Sequence, residues 1–158
     1  MTKKKVAIIS VITVGVALTA SYRVWLPLER PTSIQTDPVV VAEGKDIYSV
    51  QCAGCHGTAL QGQPNWRQRK PDGKLPAPPQ DASGHTWHHS DGDLFRIVKE
   101  GVQAFAGQDY KTDMPAFSEE LKDDQIEAVI AYIKSTWPVK QRKFQEQVTA
   151  SGQNQPND

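Results

Sequence analysis

Two thiols three residues apart with a histidine directly after them, Cys52-Ala53-Gly54-Cys55-His56, constrain this chain more than any other stretch. The pattern reads as covalent attachment of a c-type haem. Each thiol adds across one vinyl group of the porphyrin, and the short turn delivers the His56 imidazole to the iron as the proximal ligand. Two other chemistries use similar spacing. A thioredoxin-like redox pair needs a strand before it and a helix after it, and a zinc half-site needs a second pair of ligands downstream; neither accompaniment is evident. Cys52 and Cys55 are the only cysteines of the chain, so one five-residue motif uses both and the count says nothing about disulfides.

A length of 158 residues allows one ordinary domain with appendages. The formal net charge is zero, which argues against a nucleic-acid binder, and residues 38–158 hold 13 Lys and Arg against 16 Asp and Glu. Two haem propionates would make that part more acidic still, so no global cationic field is available to steer it toward an acidic partner.

The N-terminus bears on location. Lys3, Lys4 and Lys5 precede an uncharged apolar run from Val6 to Ala20, which fits a cleaved export signal or a membrane anchor. Either way the lysines stay in the cytoplasm. Extension through Tyr22 and Trp25 to Leu28, with Arg23 snorkelling, reaches a length able to span about 30 Å of hydrocarbon. A cleavage site is poorly written, since cutting after Ala20 places Leu18 where a small residue is wanted. Residues 1–28 are therefore read as a retained N-terminal transmembrane helix, with the signal peptide as the alternative, and residues 29–37, rich in Pro, Thr, Ser and Gln, as a linker.

A globular domain is expected over residues 38–140. Asp37 and Pro38 supply an N-cap and a first-position proline, and Val40, Gly44, Ile47, Tyr48 and Gln51 recur at helical spacing into the haem motif. Gly44 inside that helix disfavours it by about 1 kcal/mol relative to alanine, which asks for a packing reason such as a close helix crossing. Residues 57–90 are dense in breakers and read as an ordered loop wrapped around the cofactor. Their local basic patch of Arg67, Arg69, Lys70 and Lys74 reads either as a solvated loop or as a docking surface for an acidic partner. Ser90 with Asp93 opens a second helix bearing Leu94, Ile97 and Val98, which Gly101 ends. A loop from Val102 to Ser118 follows. Asp123 or Asp124 caps a third helix with Ile126, Val129, Ile130, Ile133 and Trp137 inward, stopped by Pro138. Tyr132 on it is available to face the first helix. Residues 141–158 read as a polar, disordered tail.

A haem iron held by one histidine has a sixth position, and methionine sulfur there raises the reduction potential and suits electron transfer. Apart from Met1 the chain has one methionine, Met114, in Asp113-Met114-Pro115-Ala116-Phe117. Held beside a rigid proline between helices, it is expected to be the second axial ligand of iron; the plainer reading is a loop methionine filling a gap in the core.

Cys52 to His56, the Met114-Pro115 loop and the flanking helices together resemble a class I c-type cytochrome over about residues 38–138, most nearly the membrane-anchored mono-haem bacterial type with a similar His-Thr-Trp-His-His segment. The resemblance implies an all-α cytochrome c fold of three to five helices around one covalently bound haem c. It implies that the first and last helices cross at Gly44, Tyr48 and Tyr132. It also implies a proline carbonyl that accepts the Nδ1 proton of His56. Pro64, Pro78 and Pro79 all qualify; Pro78, in Ala77-Pro78-Pro79, is most similar to the family's segment.

His85-Thr86-Trp87-His88-His89 contains every histidine except His56. One of them could replace methionine as axial ligand, and three could form a copper or zinc site. A structural role fits the resemblance better, with Trp87 or a neighbouring imidazole donating to a haem propionate at the pocket edge.

The expected function is that of an electron carrier rather than an enzyme. It would be tethered to a bacterial inner membrane with the haem domain in the periplasm, passing single electrons from a dehydrogenase or quinol-oxidising complex to a terminal acceptor. The expected partners are membrane redox proteins, with no nucleic acid and no small-molecule substrate. The alternatives are a haem subunit of a periplasmic oxidase or copper-handling complex, and a ligand-binding sensor with a weak sixth site.

Overall fold

The computed structural model describes residues 33, 34 and 36–152. Among these there is no strand. Six α-helices follow one another: α1 (Pro38–Gln51), α2 (Ala53–His56), α3 (Asp91–Glu100), α4 (Val102–Ala106), α5 (Asp123–Ser135) and α6 (Val139–Gly152), with a 3₁₀ turn at Thr86–His88 between α2 and α3. The expected anchor and most of the linker lie outside the described residues. No described helix is long and apolar enough to cross a membrane.

The fold is organised by the packing of α1 against α5. Asp37 caps α1 by accepting from Val39 N at 2.8 Å, and Pro38 follows it. Midway along, Gly44 sits on the backbone of Ala128. One turn on, Tyr48 meets Tyr132 with ring centroids 5.3 Å apart and tilted by 57°. The expected crossing of Gly44, Tyr48 and Tyr132 is present, and the glycine is needed because only a residue without Cβ lets the helices approach so closely. Ile126, Val129, Ile130 and Ile133 from α5 join Tyr48, Leu60, Leu94, Phe117, Leu121 and Trp137 in one buried core.

The reading of α3 matches the structure: Ser90 Oγ accepts from Asp93 N at 3.1 Å, the Asp93 carboxylate accepts from Ser90 N at 3.3 Å, and Gly101 follows at φ 87°. Three expectations need correction. Residues 102–106, expected within a loop, form the single-turn helix α4, a length too short for apolar periodicity to reveal. At α5 neither Asp123 nor Asp124 is the cap. Lys122 holds that place, its backbone N–H donating to Gln125 Oε1 at 3.0 Å, while the Asp123 carboxylate is paired with Lys99 at 2.7 Å.

The third correction concerns the tail, and with it the helix count, six among the described residues in place of three to five. Residues 139–152 form α6, which begins as Arg142 N donates to the carbonyl of the very Pro138 that follows α5. Its sequence is polar, and it docks through polar bonds. Gln145 Nε2 donates to Asp91 Oδ1 at 2.7 Å, and Asp91 N donates to Thr149 Oγ1 at 3.0 Å. Phe144 adds edge contacts to Trp87 and His88. Asp91 is also the partner of Lys134 from α5 at 2.7 Å, both side chains being 6% exposed, and it accepts from Ile34 N at 2.7 Å. One buried carboxylate thus ties α3, α5, α6 and the segment before α1. An apolar stripe would have been visible in the sequence; a docking surface made of hydrogen bonds is not.

Candidate functional site

At Cys52 the chain leaves α1 and at Ala53 it enters α2. Cys52 N still bonds Tyr48 O at 2.9 Å, and His56 N bonds Cys52 O at 2.9 Å. One continuous turn therefore carries Cys52, Cys55 and His56. Both thiols are free, Cys52 half-buried and Cys55 exposed. Burial, and then the neighbouring Cys55, push the Cys52 thiol up to about 11. Gly57 ends the turn at φ 81°, and its carbonyl accepts from the buried Tyr48 hydroxyl at 2.8 Å. That phenol is raised well above its ordinary value, chiefly by burial.

The chain then doubles back on itself to present Pro78 to His56. Leu60, buried and at φ 61°, turns its carbonyl to accept from Gln80 N at 2.8 Å. Gly62 N donates to His56 O at 2.8 Å, and Gln63 brackets Ala77, donating from its backbone N to Ala77 O and accepting from Ala77 N through Oε1. His56 Nδ1 consequently lies 2.8 Å from Pro78 O. Of the three prolines that qualified, Pro78 is the one in contact with the imidazole. His56 is 8% exposed; burial lowers its pKa, opposed by the bond to Pro78. A carbonyl can only accept, so the contact requires the proton on Nδ1 and leaves the Nε2 lone pair available to a metal.

Met114 is partly buried and packs against the same core as Cys52 and Trp87. Its N–H donates to Thr112 Oγ1 at 3.0 Å. Beyond it, Phe117 N and Ser118 N donate to Val98 O and Lys99 O at 3.0 and 3.1 Å, stitching that end of the loop to α3. The other end is held by the basic residues of the 57–90 loop. Asp113 is paired with both Lys74 and, at 3.4 Å, Lys70, and these bonds hold its carboxyl below the usual carboxylate range. Arg69 lies over Tyr110, and Arg67 over Trp66 at 4.1 Å. Arg67, Arg69 and Lys70 are exposed, as the solvated-loop reading expects, and Lys70 and Lys74 in addition pair with Asp113 beside Met114.

The histidines of the 85–89 segment each have an aromatic neighbour. His85 stacks on Trp66 at 5.5 Å and 8°, His88 lies 3.8 Å from the Trp87 ring, and His89 meets Phe105 edge-on. Among the described residues no group of three histidine, cysteine or acidic side chains is arranged to hold a metal ion. His85 and His89 are both lowered, mainly by burial. Trp87 Nε1 is buried and has no hydrogen-bond partner among the described residues. A buried indole N–H is ordinarily satisfied, and one left without such a partner suits an anionic acceptor such as a propionate.

The donor set therefore fits a covalently attached haem: two free thiols on one turn, an imidazole whose Nδ1 is taken by the Pro78 carbonyl, one thioether on the same core and a buried indole donor. Sequence reasoning missed Gln80 and Asp113. Gln80 directly follows Pro78-Pro79, and its Nε2 lies 3.0 Å from His56 Nδ1. Asp113 directly precedes Met114, but its pairing with lysines about 40 residues earlier has no signal in the sequence.

A family model described as cytochrome c matches residues 41–137. The cbb3-type cytochrome c oxidase subunit FixP of Sinorhizobium medicae (strain WSM419) is 24% identical over 102 residues, 64% of this chain and 32% of that protein. The chain thus spans about a third of the length of this relative. No solved structure matches it.

Proposed function

Because the chain belongs to the cytochrome c family, a group of electron-transfer proteins that carry covalently bound haem c, we propose that it is a mono-haem carrier ligating its iron through His56 and Met114. Cys52 and Cys55 are the pair that fits the thioether attachment. When bound, the haem supplies a one-electron iron couple that needs no change of ligands. The chain's own residues do the rest. Pro78 holds the His56 ring in the tautomer that leaves Nε2 free, the buried core around Leu60, Leu94 and Phe117 keeps water away, and Trp87 Nε1 offers a donor to a propionate.

The observation that carries this reading is the 2.8 Å contact of His56 Nδ1 with Pro78 O, because it fixes which ring nitrogen is free. Met114 is the sole thioether in the matched region. Carbon monoxide binding to the reduced protein tests the pair. Slow or absent uptake by the wild type, rapid uptake by Met114→Ala, and loss of the ferric methionine-to-iron absorption band in that variant are expected. Rapid uptake by the wild type would favour a ligand-binding sensor instead.

The physiological role proposed is electron transfer between membrane redox complexes, with residues 1–28 as the tether and the haem domain on the periplasmic face. Lys3 to Lys5 before the apolar run support that orientation. A soluble mature protein shortened by about 20 residues would refute the anchor. The similarity to an oxidase subunit favours a second reading, a haem subunit of a terminal oxidase complex. Affinity capture from detergent-solubilised membranes separates the two: a stoichiometric oxidase supports the subunit, and substoichiometric recovery of several redox complexes supports the carrier.

A further inference from the structure

Gln80 is more closely held than a loop residue needs to be. Its backbone N–H donates to Leu60 O at 2.8 Å, and its carbonyl accepts from the buried Trp137 Nε1 at 2.8 Å. With the backbone fixed at both ends, the carboxamide bridges two buried groups. Its Nε2 is placed 3.0 Å from His56 Nδ1, and its Oε1 2.7 Å from the hydroxyl of the buried Thr86.

The proton count at His56 decides the sense of that bridge. An imidazole that offers Nε2 to a metal carries its one ring proton on Nδ1, where the Pro78 carbonyl 2.8 Å away accepts it. An NH₂ group facing the same Nδ1–H would set two donors against each other. The two ends of a carboxamide are nearly the same size and are assigned from the hydrogen-bond network rather than from shape. The consistent assignment therefore turns the group over, so that Oε1 faces His56 Nδ1–H and Nε2–H donates to Thr86 Oγ1. Every contact is then a donor meeting an acceptor, and one Nδ1 proton is shared between two oxygens, an arrangement proteins do use.

We infer that Gln80 is a positioning residue for the proximal histidine, a second acceptor beside Pro78 that holds the His56 ring and increases its electron donation to the iron. This rests on the proposed ligation by His56. A ligand imidazole whose outer N–H is drawn toward acceptors is the stronger base, and a more basic ligand stabilises ferric over ferrous iron. Gln80 thereby lowers the reduction potential relative to a chain with Pro78 alone.

The test is potentiometry on the haem-loaded full chain. Gln80→Leu is expected to raise the potential by an amount that changes the reduced-to-oxidised ratio at a fixed poise roughly threefold to tenfold, the effect of one hydrogen bond. Gln80→Glu, which places a carboxylate against Nδ1–H, is expected to lower it. With a low-spin, six-coordinate wild type, an unmoved potential in both variants overturns the role of Gln80 alone. A high-spin wild-type spectrum overturns it together with the ligation it rests on. Should either variant fail to load haem, NMR of the reduced wild type decides. Strong nuclear Overhauser contacts from the Gln80 amide protons to Thr86 support the assignment, and strong contacts to His56 Hδ1 in their place overturn it.

Discussion

Gly44 and Ala128 face each other so closely that a Cβ built on the glycine would lie 1.9 Å from the Ala128 carbonyl oxygen. The obstacle is backbone of α5, which a rotamer change cannot move aside. In an exposed helix Gly→Ala gains about 1 kcal/mol; here the clash outweighs it, and Gly44→Ala is expected to lower stability by about 2 kcal/mol or more. Urea unfolding of the haem-loaded protein measures this, and a neutral or stabilising result would show that the crossing can open.

Asp91 and Lys134 form a pair buried to 6% exposure on each side. Removing one member leaves the other charged and uncompensated, so Lys134→Met alone is expected to lose about 3–5 kcal/mol. The double variant Asp91→Leu with Lys134→Met is expected to recover part of that, but not all, because Gln145 and Ile34 also bond to Asp91. Full additivity of the two single changes in a double-mutant cycle would contradict the coupling.

Lys70 and Lys74 grip Asp113 from across the site, one residue from Met114. The groups are exposed, so the tie is screened by salt. Asp113→Asn is expected to let Met114 exchange with added imidazole or cyanide faster than in the wild type at low salt. The difference should shrink at high salt. Equal rates at low salt would mean that the α3 side alone holds the loop.

Removing the Trp87 donor with Trp87→Phe is expected to lower the reduction potential, since an unopposed propionate charge favours ferric iron. An unchanged potential with unchanged stability would exclude the indole from that contact.

The lowered histidines make stability depend on pH. His85 and His89 favour the neutral form when folded, chiefly through burial. A group whose folded pKa is below its unfolded value of about 6.5 binds more protons unfolded, so stability is full above that value and falls as the pH drops below it. Thermal unfolding should show lower stability at pH 5 than at pH 7. The double variant His85→Gln with His89→Gln should flatten that slope, and an unchanged slope would place the dependence elsewhere.

Helices α1 and α3 were legible because each combines a cap with apolar residues at helical spacing, α5 through its apolar spacing alone, and Gly44 signalled its crossing by standing where a glycine is unfavourable. His56 and Met114 stand out as candidate ligands because one closes the Cys52–His56 motif and the other is the single methionine besides Met1. The residues alone left three prolines open and only the resemblance singled out Pro78, since proximity to His56 depends on how Leu60 and Gly62 fold the loop back. Gln145, Thr149 and Asp113 were opaque for a common reason. Each acts through a polar partner remote in the chain, and pairings between polar side chains leave no periodicity.

The carboxylate of Asp91 has a mechanical consequence. Ile34 is fastened to it through its N–H and, through its carbonyl at 3.3 Å, to Lys134. Any load arriving from upstream along the chain is therefore grounded on α3 and α5 before it reaches α1 and the turn with Cys52 and Cys55. The attachment turn is held apart from that load, much as a cable is clamped before its terminals.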